Sequence, residues 1–423
     1  MTSYTHAAMT RTERIVQWIC RGVIAFVLAL PVYAGIRHGL ANLEKNPVLE
    51  SALAGAFLIH MRARPKPAEW LSALGIGSLL TVVYAWLHHG YGNYIGAAPY
   101  AYLTFLGLAS LGVLAVQVFA GERALRKLHR DTFLAAAAFP YLSFILAFCL
   151  TMTTALQPKV YDPLLYAFDE ALQSKLSALV GGLMANSYAL RIAGIVTYQS
   201  IPVAICFLLA LERESPGRFA ARILPLFVMV GITGAVLYNL FPAVGPIYVF
   251  GKDFPAHLPP VSSLSMQPLP HLRAARNAMP SVHFACALLI WWNTAGLHRV
   301  WRWLATGFVA MTFLATLGFG EHYLVDLVVA VPFAVTMQAL ALRARSWAQS
   351  ERRIAVGGGA ALTLGWVIAL RYGVFVHAPG LAWCAVTATL ALGLWWKRGL
   401  ERGHSHLERK ILGVRPAILP QEP

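Results

Sequence analysis

Two short stretches of the chain combine histidine with residues that fit phosphoryl chemistry. The first reads PSVH at 280–283, and the second reads HYLVD at 322–326. His322 and Asp326 are four residues apart, so on a helix they share one face. The carboxylate can then accept a hydrogen bond from one imidazole nitrogen, which fixes the tautomer and leaves the other nitrogen free to attack. We therefore predict that His322 is a nucleophile oriented by Asp326; the alternative is an interfacial histidine beside a carboxylate used in helix packing.

The PSVH stretch predicts the start of a helix. Ser281 follows Pro280 and is a favourable N-cap, and the unpaired N–H groups of a first helical turn attract anions. His283 lies in that first turn, where it can protonate a leaving oxygen and later deprotonate an incoming nucleophile. The alternative is a histidine that only hydrogen-bonds a neighbouring loop. The sequence thus predicts one site with His283, His322 and Asp326 as its catalytic residues.

Basic residues near the first stretch are candidates for binding phosphate. Arg273 and Arg276 precede it, and a guanidinium donates two parallel hydrogen bonds to phosphate oxygens. Lys252 and His257 lie in the same loop. For each of these residues the alternative is contact with solvent or lipid head groups. Metal catalysis is not expected because neither stretch offers a further ligand at suitable spacing, and no cofactor is expected because the chain has no phosphate-loop motif.

The composition indicates the kind of protein that must position these residues. Of the 423 residues, 58% are hydrophobic and 12% are charged, whereas a soluble domain has about 25% charged residues. We therefore predict an all-α, multi-pass membrane protein. The net charge is +16. Because the basic residues fall in short gaps between apolar runs, as in cytoplasmic loops, nucleic-acid binding is not expected.

Apolar runs long enough to cross a membrane occur along the whole chain. The clear ones lie near 15–36, 70–87, 100–120, 132–155, 190–211, 222–241, 281–297, 301–319, 323–342, 354–376 and 379–397. Basic gaps alternate with gaps poor in lysine and arginine only if a weaker run at 47–61 also crosses. We therefore predict about twelve spans and two cytoplasmic termini. Both histidine stretches then lie on the non-cytoplasmic face, which we expect to be that of a bacterial inner membrane.

Two further segments belong to the same predicted face. The stretch 161–180 places its leucines on one helical face, opposite polar residues such as Asp169, and Asp162 followed by proline is a helix-start signal. It predicts an amphipathic helix that either lies on the bilayer surface or packs on the protein's own loops. The loop 242–280 is long and rich in proline, which is typical of a functional loop or a lid.

The two histidine stretches resemble the signatures of the type 2 phosphatidic acid phosphatase superfamily, in which PSxH opens one helix and HxxxD opens another, two helices later. The resemblance covers about 132–342 and implies a six-helix catalytic core. N-terminal membrane helices at 1–131 precede this core, and C-terminal membrane helices with a basic cytoplasmic tail follow it at 343–423. The usual phosphatases have an arginine six residues before the second histidine, where this chain has Thr316. They also have a Lys-x6-Arg-Pro motif that does not occur here.

Without that arginine, the HYxxD form resembles the lipid phosphotransferase branch, which includes inositol phosphorylceramide synthases of the aureobasidin-resistance type and sphingomyelin synthases. FPAVGP (241–246) and AMPSVH are also similar to bacterial members of the inositolphosphotransferase group. The resemblance implies that a phospho-head-group moves between lipids through a phosphohistidine on His322. It also implies substrate-binding roles for Arg276, Arg273, Ser281 and Tyr323.

Other functions fit the same residues. A phosphatase acting on a lipid phosphate or a polyprenyl diphosphate would differ only in using water as the acceptor. A transporter would also use many spans and buried charges, but the chain shows no inverted repeat with paired broken helices. An enzyme-derived scaffold without activity is the remaining alternative, and the complete set of two histidines and an aspartate argues against it. The sequence names neither the lipid donor nor the acceptor.

Overall fold

The computed structural model describes residues 47–87, 89–90, 97–270, 272, 274–343 and 349–411. Within them the chain is mainly helical and has nearly no sheet, which confirms the all-α prediction. Three helices come first: α1 (Pro47–Arg62), α2 (Pro67–Leu87) and α3 (Ala97–Ala120). The central part contains α4 (Arg126–Leu156), α5 (Asp162–Ala171), α6 (Leu176–Asn186), α7 (Tyr188–Gln199), α8 (Ile201–Glu214), α9 (Ile223–Leu240), α10 (Pro246–Phe250), α11 (Val282–Asn293), α12 (Arg299–Gly318) and α13 (Leu324–Ala341). The last helices are α14 (Ser350–Arg371), α15 (Val374–His377) and α16 (Leu381–Ile411).

Seven of the described helices are long and apolar enough to cross a membrane, which confirms a multi-pass membrane protein. They are α2, the part Ala101–Ala120 of α3, α4, α9, α12, α13 and α14. The predicted total of about twelve spans is not reached within the described residues, and the run at 15–36 lies outside them. α1 has 16 residues and α11 has 12, so both are shorter than the roughly 20 residues of a full crossing.

The predicted span at 190–211 is two helices rather than one. α7 ends at Gln199 and α8 begins at Ile201, with Ser200 between them. Pro202 has no N–H to donate and suits only the first turn of a helix, so a new helix starts there. α7 is also bent by 113° from α6, and this pair is either one broken span or a re-entrant loop.

The predicted amphipathic helix at 161–180 is also divided, into α5 and α6. Gln173 between them has a left-handed φ of 52°, which an L-residue adopts singly and not within a right-handed helix. Leu165 and Phe168 are buried in the core, and Asp169 is only 5% exposed. The structure therefore supports the second alternative, in which this segment packs against the protein itself and not along the bilayer surface.

The proline-rich loop between α9 and α11 folds over α5. A short antiparallel pairing joins β1 (Lys159–Val160) to β2 (Leu269–Pro270). In addition, the Tyr166 hydroxyl of α5 donates a hydrogen bond of 2.7 Å to the Pro259 carbonyl. These contacts attach the loop at two points along its length.

The helix that carries Asp326, α13, lies at the centre of the molecule. Most of its side chains are buried, and it packs against α9, α11, α14 and α16. This position explains why its sequence is apolar all round, since every face meets another helix.

α1 is buried among α3, α4 and α8 although it is short. Small residues permit the close approach of the backbones, as in many membrane helix pairs. At Gly107 of α3, an added Cβ would lie 1.9 Å from the Leu53 carbonyl oxygen of α1. α1 is therefore an integral part of the bundle.

Candidate active site

The two histidine stretches meet in the structure. The Ala278 carbonyl lies 2.8 Å from Nδ1 of His322, and the Ser281 N–H donates to the Asp326 carbonyl at 3.1 Å. His283 lies two residues after Ser281, and His322 lies four residues before Asp326. The stretches that the sequence analysis assigned to one site are therefore joined by hydrogen bonds between them.

His322 is held in one orientation by a main-chain carbonyl. Because a carbonyl only accepts, the contact with Ala278 places a proton on Nδ1 and leaves Nε2 with its lone pair. Asp326 was predicted to fix the tautomer by accepting that hydrogen bond, but its Oδ2 is 3.5 Å away from Nδ1. The carboxylate is close enough to stabilise positive charge on the ring, whereas Ala278 makes the shorter contact. Burial lowers the pKa of His322 to about 4 against the opposing charge of Glu321, so the imidazole is neutral at pH 7.

Two carboxylates bind the N–H groups that begin α13. Oδ2 of Asp326 accepts from the Tyr323 N–H at 2.8 Å. Asp169 of α5 accepts from the next two N–H groups, those of Leu324 at 2.8 Å and Val325 at 3.2 Å. A carboxylate at this position is stabilised by the unpaired N–H groups and by the helix dipole. Asp169 therefore fixes the segment that carries His322, a role that the sequence analysis did not predict.

A second carboxylate of α5 holds the FPAVGP segment. Oδ1 of Asp162 accepts from the Gly245 N–H at 2.8 Å, and Oδ2 accepts from the Val244 N–H at 3.1 Å. The predicted start of α5 at Asp162 is confirmed, but this side chain caps another segment and not its own helix. Gly245 has a φ of 100°, and an added Cβ would lie 2.4 Å from the Glu321 carbonyl oxygen. Only glycine permits this approach to the turn before His322.

The two carboxylates of α5, those of Asp162 and Asp169, are seven residues apart. Side chains at this spacing share a helical face. Burial raises the pKa of Asp162 to about 6 and that of Asp169 well above its ordinary value, while the N–H donors oppose both shifts. The polar face of α5 thus points to the site and not to water.

His283 has a different environment. Its ring stacks on Tyr198 of α7, with centroids 4.1 Å apart and planes at 14°, and Nδ1 lies 3.2 Å from the tyrosine hydroxyl. Ser281 is the N-cap of α11, as predicted, and accepts from the Phe284 N–H at 3.4 Å. Tyr198 was not predicted, since no motif marks it.

His283 also lines an apolar cavity of about 190 Å³. The walls of this cavity come from α1, α4, α7, α8, α9 and α11. Tyr198, Tyr238 and Asn277 are polar residues of the lining, which is otherwise mainly aliphatic and aromatic. A cavity with this lining beside an ionisable group is a binding site for a ligand that is largely apolar.

Comparison with known proteins agrees with this geometry. A family model described as the PAP2 superfamily matches the central part of the chain. The match spans residues 163–340. The matched residues include both histidine stretches and all of α5 except Asp162, and the match supports an enzyme of the phosphatase or phosphotransferase type. Over these residues the match agrees with the superfamily predicted from the two motifs, and it does not distinguish the branches of that superfamily. No curated protein and no solved structure matches the chain.

Arg276 of the PAP2 domain is buried and already has hydrogen-bond partners. Its Nε donates to the Gln157 carbonyl at 3.1 Å, and one terminal nitrogen donates to the carbonyls of Leu272, at 2.6 Å, and Ala274. The guanidinium therefore ties the loop before α11 to the end of α4. Its predicted role in binding phosphate stays a prediction. Arg273 lies outside the described residues.

Two other residues of the PAP2 domain bear on the predicted substrate contacts. Tyr323 is 1% exposed and packs in a hydrophobic cluster with Leu165, Phe241 and Met279, so its role in substrate binding stays a prediction. Thr316, at the position of the missing arginine, donates to the Thr312 carbonyl of its own helix at 2.9 Å. It therefore contributes no cation to the site.

The remaining charged groups near the PAP2 site are few. Glu321 accepts a hydrogen bond of 3.0 Å from the Tyr248 hydroxyl, and its charge raises the pKa of the adjacent His322. Lys252 and His257 are exposed. In the part of the chain that the structure describes, no three His, Cys, Asp or Glu residues are arranged to hold a metal ion.

Proposed function

We propose that the protein is a membrane phosphotransferase that moves a phospho-head-group from one lipid to another through a phosphohistidine on His322. One observation carries this proposal. The contact between Nδ1 and Ala278 leaves Nε2 of His322 unprotonated and directed away from that carbonyl. A neutral, oriented imidazole is a nucleophile for phosphorus.

In the first step, the lone pair of Nε2 of His322 attacks phosphorus. The N–P bond forms, the bond from phosphorus to the leaving oxygen breaks, and His283 gives that oxygen a proton. The product is a free alcohol and a phosphorylated His322. His283 suits the role of general acid because Tyr198 orients its ring.

In the second step, the hydroxyl of the acceptor lipid gives its proton to His283. The oxygen attacks phosphorus, the N–P bond breaks, and His322 regains its lone pair. Both histidines return to their starting states, so no co-reactant is required. Asp326, 3.5 Å from Nδ1 of His322, favours the positive charge that develops on the imidazole during attack.

The shortage of cations supports a phosphodiester donor of the inositolphosphotransferase type over a phosphomonoester. A phosphomonoester carries a charge of about −1.5 to −2 at pH 7, whereas a diester carries a single charge. Among the described residues, Thr316 replaces an arginine and the Arg276 guanidinium is bonded to main-chain carbonyls. A substrate with less charge needs fewer cationic partners.

The same proposal includes the placement of the enzyme in the membrane. We place the active site on the non-cytoplasmic face of a bacterial inner membrane, with both termini in the cytoplasm. Residues 132–342 would form the catalytic core, since α4 lines the same cavity as helices of the PAP2 domain. The support for the orientation is the positive-inside distribution of the basic loops.

The proposal is tested with purified full-length protein in lipid nanodiscs. The donor is phosphatidylinositol with a radiolabelled phosphate, and the acceptor is ceramide. We expect a labelled lipid product, an acid-labile label on the enzyme, and the loss of both in His322→Ala by at least about a thousandfold. His377→Ala, which changes an exposed histidine of α15, is the matched control.

Three other outcomes would each favour a different function or mechanism. Release of labelled inositol phosphate, with the same labelled histidine, would replace the transferase by a hydrolase that uses water as the acceptor. Full turnover in both His322→Ala and His283→Ala would reject the phosphohistidine mechanism. Movement of intact phosphatidylinositol between leaflets, without any labelled enzyme, would favour a transporter.

A further inference from the structure

The cavity beside His283 is about one membrane leaflet deep. On α4 its lining runs from Phe139 to Leu150, and on α9 it runs from Phe227 to Tyr238. At about 1.5 Å per residue, each run extends about 16 Å along its helix. The hydrocarbon layer of a bilayer is about 30 Å thick, so the two runs independently give a depth near half of that layer.

The polarity of the lining changes along this depth. The end of α9 with Tyr238 adjoins the start of α11, since a Cβ at Gly234 would lie 2.6 Å from Cγ2 of Val282. The polar groups of the site are at this end. At the opposite end the lining residues Phe139 and Phe227 are 4% and 2% exposed.

One polar residue lies between the two ends of the cavity. The Ser143 hydroxyl donates to the Phe139 carbonyl of its own helix at 2.9 Å. The hydroxyl is thus already paired, and the cavity beyond the catalytic end is apolar.

A helix from outside the PAP2 domain contributes to the wall. Val48 of α1 lines the cavity, and α1 packs against both α4 and α8. α1 precedes the matched residues 163–340 and also the predicted core at 132–342. The N-terminal part of the chain therefore shapes the binding region of the catalytic domain.

We propose that this cavity holds one hydrocarbon chain of the substrate lipid, with its phosphate at His283, its closed end at Phe139 and Phe227, and α1 as part of its wall. The proposal rests on the proposed function for the position of the phosphate. It goes further by assigning chain-length selectivity to named residues. An apolar chain of one leaflet matches the lining, the depth and the position of the polar end.

The test is photo-crosslinking of the full-length protein in phosphatidylcholine nanodiscs. The probe is phosphatidylinositol with a diazirine at the end of one acyl chain, and mass spectrometry maps the adducts. We expect adducts on Phe139, Phe227 and their neighbours. Gly231→Leu should reduce them by about tenfold or more, because a new side chain fills space that a few methylenes occupied. Ile232→Leu on the same helix is the control, since Ile232 is 51% exposed.

Two further variants keep the test decisive if Gly231→Leu does not fold. Ala147→Leu introduces bulk from α4, on another wall of the same cavity. Phe139→Ala removes part of the closed end and should shift the preference toward longer chains by about tenfold. The turnover assay with His322→Ala runs beside the crosslinking, so that the two proposals are judged separately.

The outcomes separate the two proposals. Adducts on outward-facing residues such as Val82 of α2, unchanged by either bulky variant, would overturn the chain cavity even where turnover depends on His322. Adducts at Phe139 and Phe227 without any turnover would support the cavity and reject the proposed reaction. Adducts in the cavity that both bulky variants suppress, together with His322-dependent turnover, support both.

Discussion

The two histidines of the site are held in different ways. His322 lies in a segment fixed by main-chain and carboxylate groups: Ala278 contacts the imidazole, while Asp326 and Asp169 bind successive N–H groups of the helix that follows. Among the described residues, His283 has one side-chain hydrogen-bond partner, Tyr198, and it borders an apolar cavity. The difference fits two roles, because a nucleophile needs one fixed orientation, whereas a proton donor must serve two different alcohols in turn. The variants below test this contrast.

The largest effect that separates the two residues is expected for His283→Ala. Removing a general acid costs about 10²–10⁴-fold in rate, and the loss should depend on the leaving group. With a lipid donor the label on His322 should form slowly. With a nitrophenyl phosphodiester, whose leaving group needs no proton, labelling should return to within about tenfold of the wild-type rate.

The control for His283→Ala is the corresponding variant of the nucleophile. His322→Ala should form no label with either donor, because the nitrogen that accepts the phosphoryl group is absent. If both variants fail equally with the activated donor, the division of roles between the two histidines is wrong.

The next largest effect is expected for Asp169→Asn. The amide keeps the size of the side chain, and its oxygen can still accept from one of the Leu324 and Val325 N–H groups. Its NH2 group cannot accept from the other, so one of the two hydrogen bonds is lost. The start of α13 should shift, and a displacement of about 1 Å costs about a hundredfold in rate. We expect kcat to fall by about tenfold to a hundredfold with little change in KM.

Glu170→Gln is the matched control for this variant, since Glu170 is the neighbouring residue on α5. It should leave kcat within about twofold of the wild-type value, as expected for a residue away from the reacting groups. A wild-type kcat in Asp169→Asn would show that Asp326 and Ala278 alone hold His322.

A smaller effect is expected for Tyr198→Phe. The ring still stacks on His283, and only the hydroxyl at 3.2 Å from Nδ1 is lost. A hydrogen bond of about 1 kcal/mol corresponds to about a fivefold fall in kcat. Tyr198→Leu, which also removes the stacking, should fall further. Tyr188→Phe is the control on the same helix, because Tyr188 is 60% exposed; equal losses in Tyr188→Phe and Tyr198→Phe would remove the proposed role of Tyr198.

The same contrast explains which parts of the site could be predicted from the sequence. Asp326 is four residues from His322, and Ser281 begins a helix, so local spacing was enough to place both. Asp169 and Leu324 are 155 residues apart, and no local pattern connects them. Ala278 acts through its carbonyl, which every residue possesses. The residue types were enough to predict that the two motifs lie close together. The groups that hold them, Asp169 and the Ala278 carbonyl, depend on the fold.

The predictions that were wrong have physical reasons of the same kind. The helix at 161–180 was placed with its polar face toward water as one alternative, but Asp169 faces N–H groups that no local sequence reveals. The span at 190–211 contains Pro202. The apolar run around this proline indicated one continuous helix, although proline favours the start of a new one. The phosphate-binding role of Arg276 is different, because it stays a prediction. A guanidinium has the same donors for phosphate as for the Gln157 and Leu272 carbonyls, so residue type alone cannot assign its partner.

The smallest effect expected concerns pH and the nucleophile. Burial lowers the pKa of His322 to about 4, so the reactive neutral form should predominate down to about pH 4. Between pH 7 and pH 5, labelling of the enzyme by the nitrophenyl donor should then change by less than about twofold. An imidazole with an ordinary pKa of about 6.5 would lose about 25-fold over the same range.

A second variant tests the direction in which Glu321 shifts the pKa of His322. The negative charge of Glu321 stabilises the imidazolium and raises the pKa of His322, so Glu321→Gln should lower that pKa and move the acid limb of labelling to a still lower pH. Salt should change the limb only slightly, because buried charges are screened weakly. An acid limb near pH 6.5 that does not respond to Glu321→Gln would mean that His322 titrates in contact with water. The proposed difference between the two histidines would then be wrong for His322, because its imidazole would not be buried away from water.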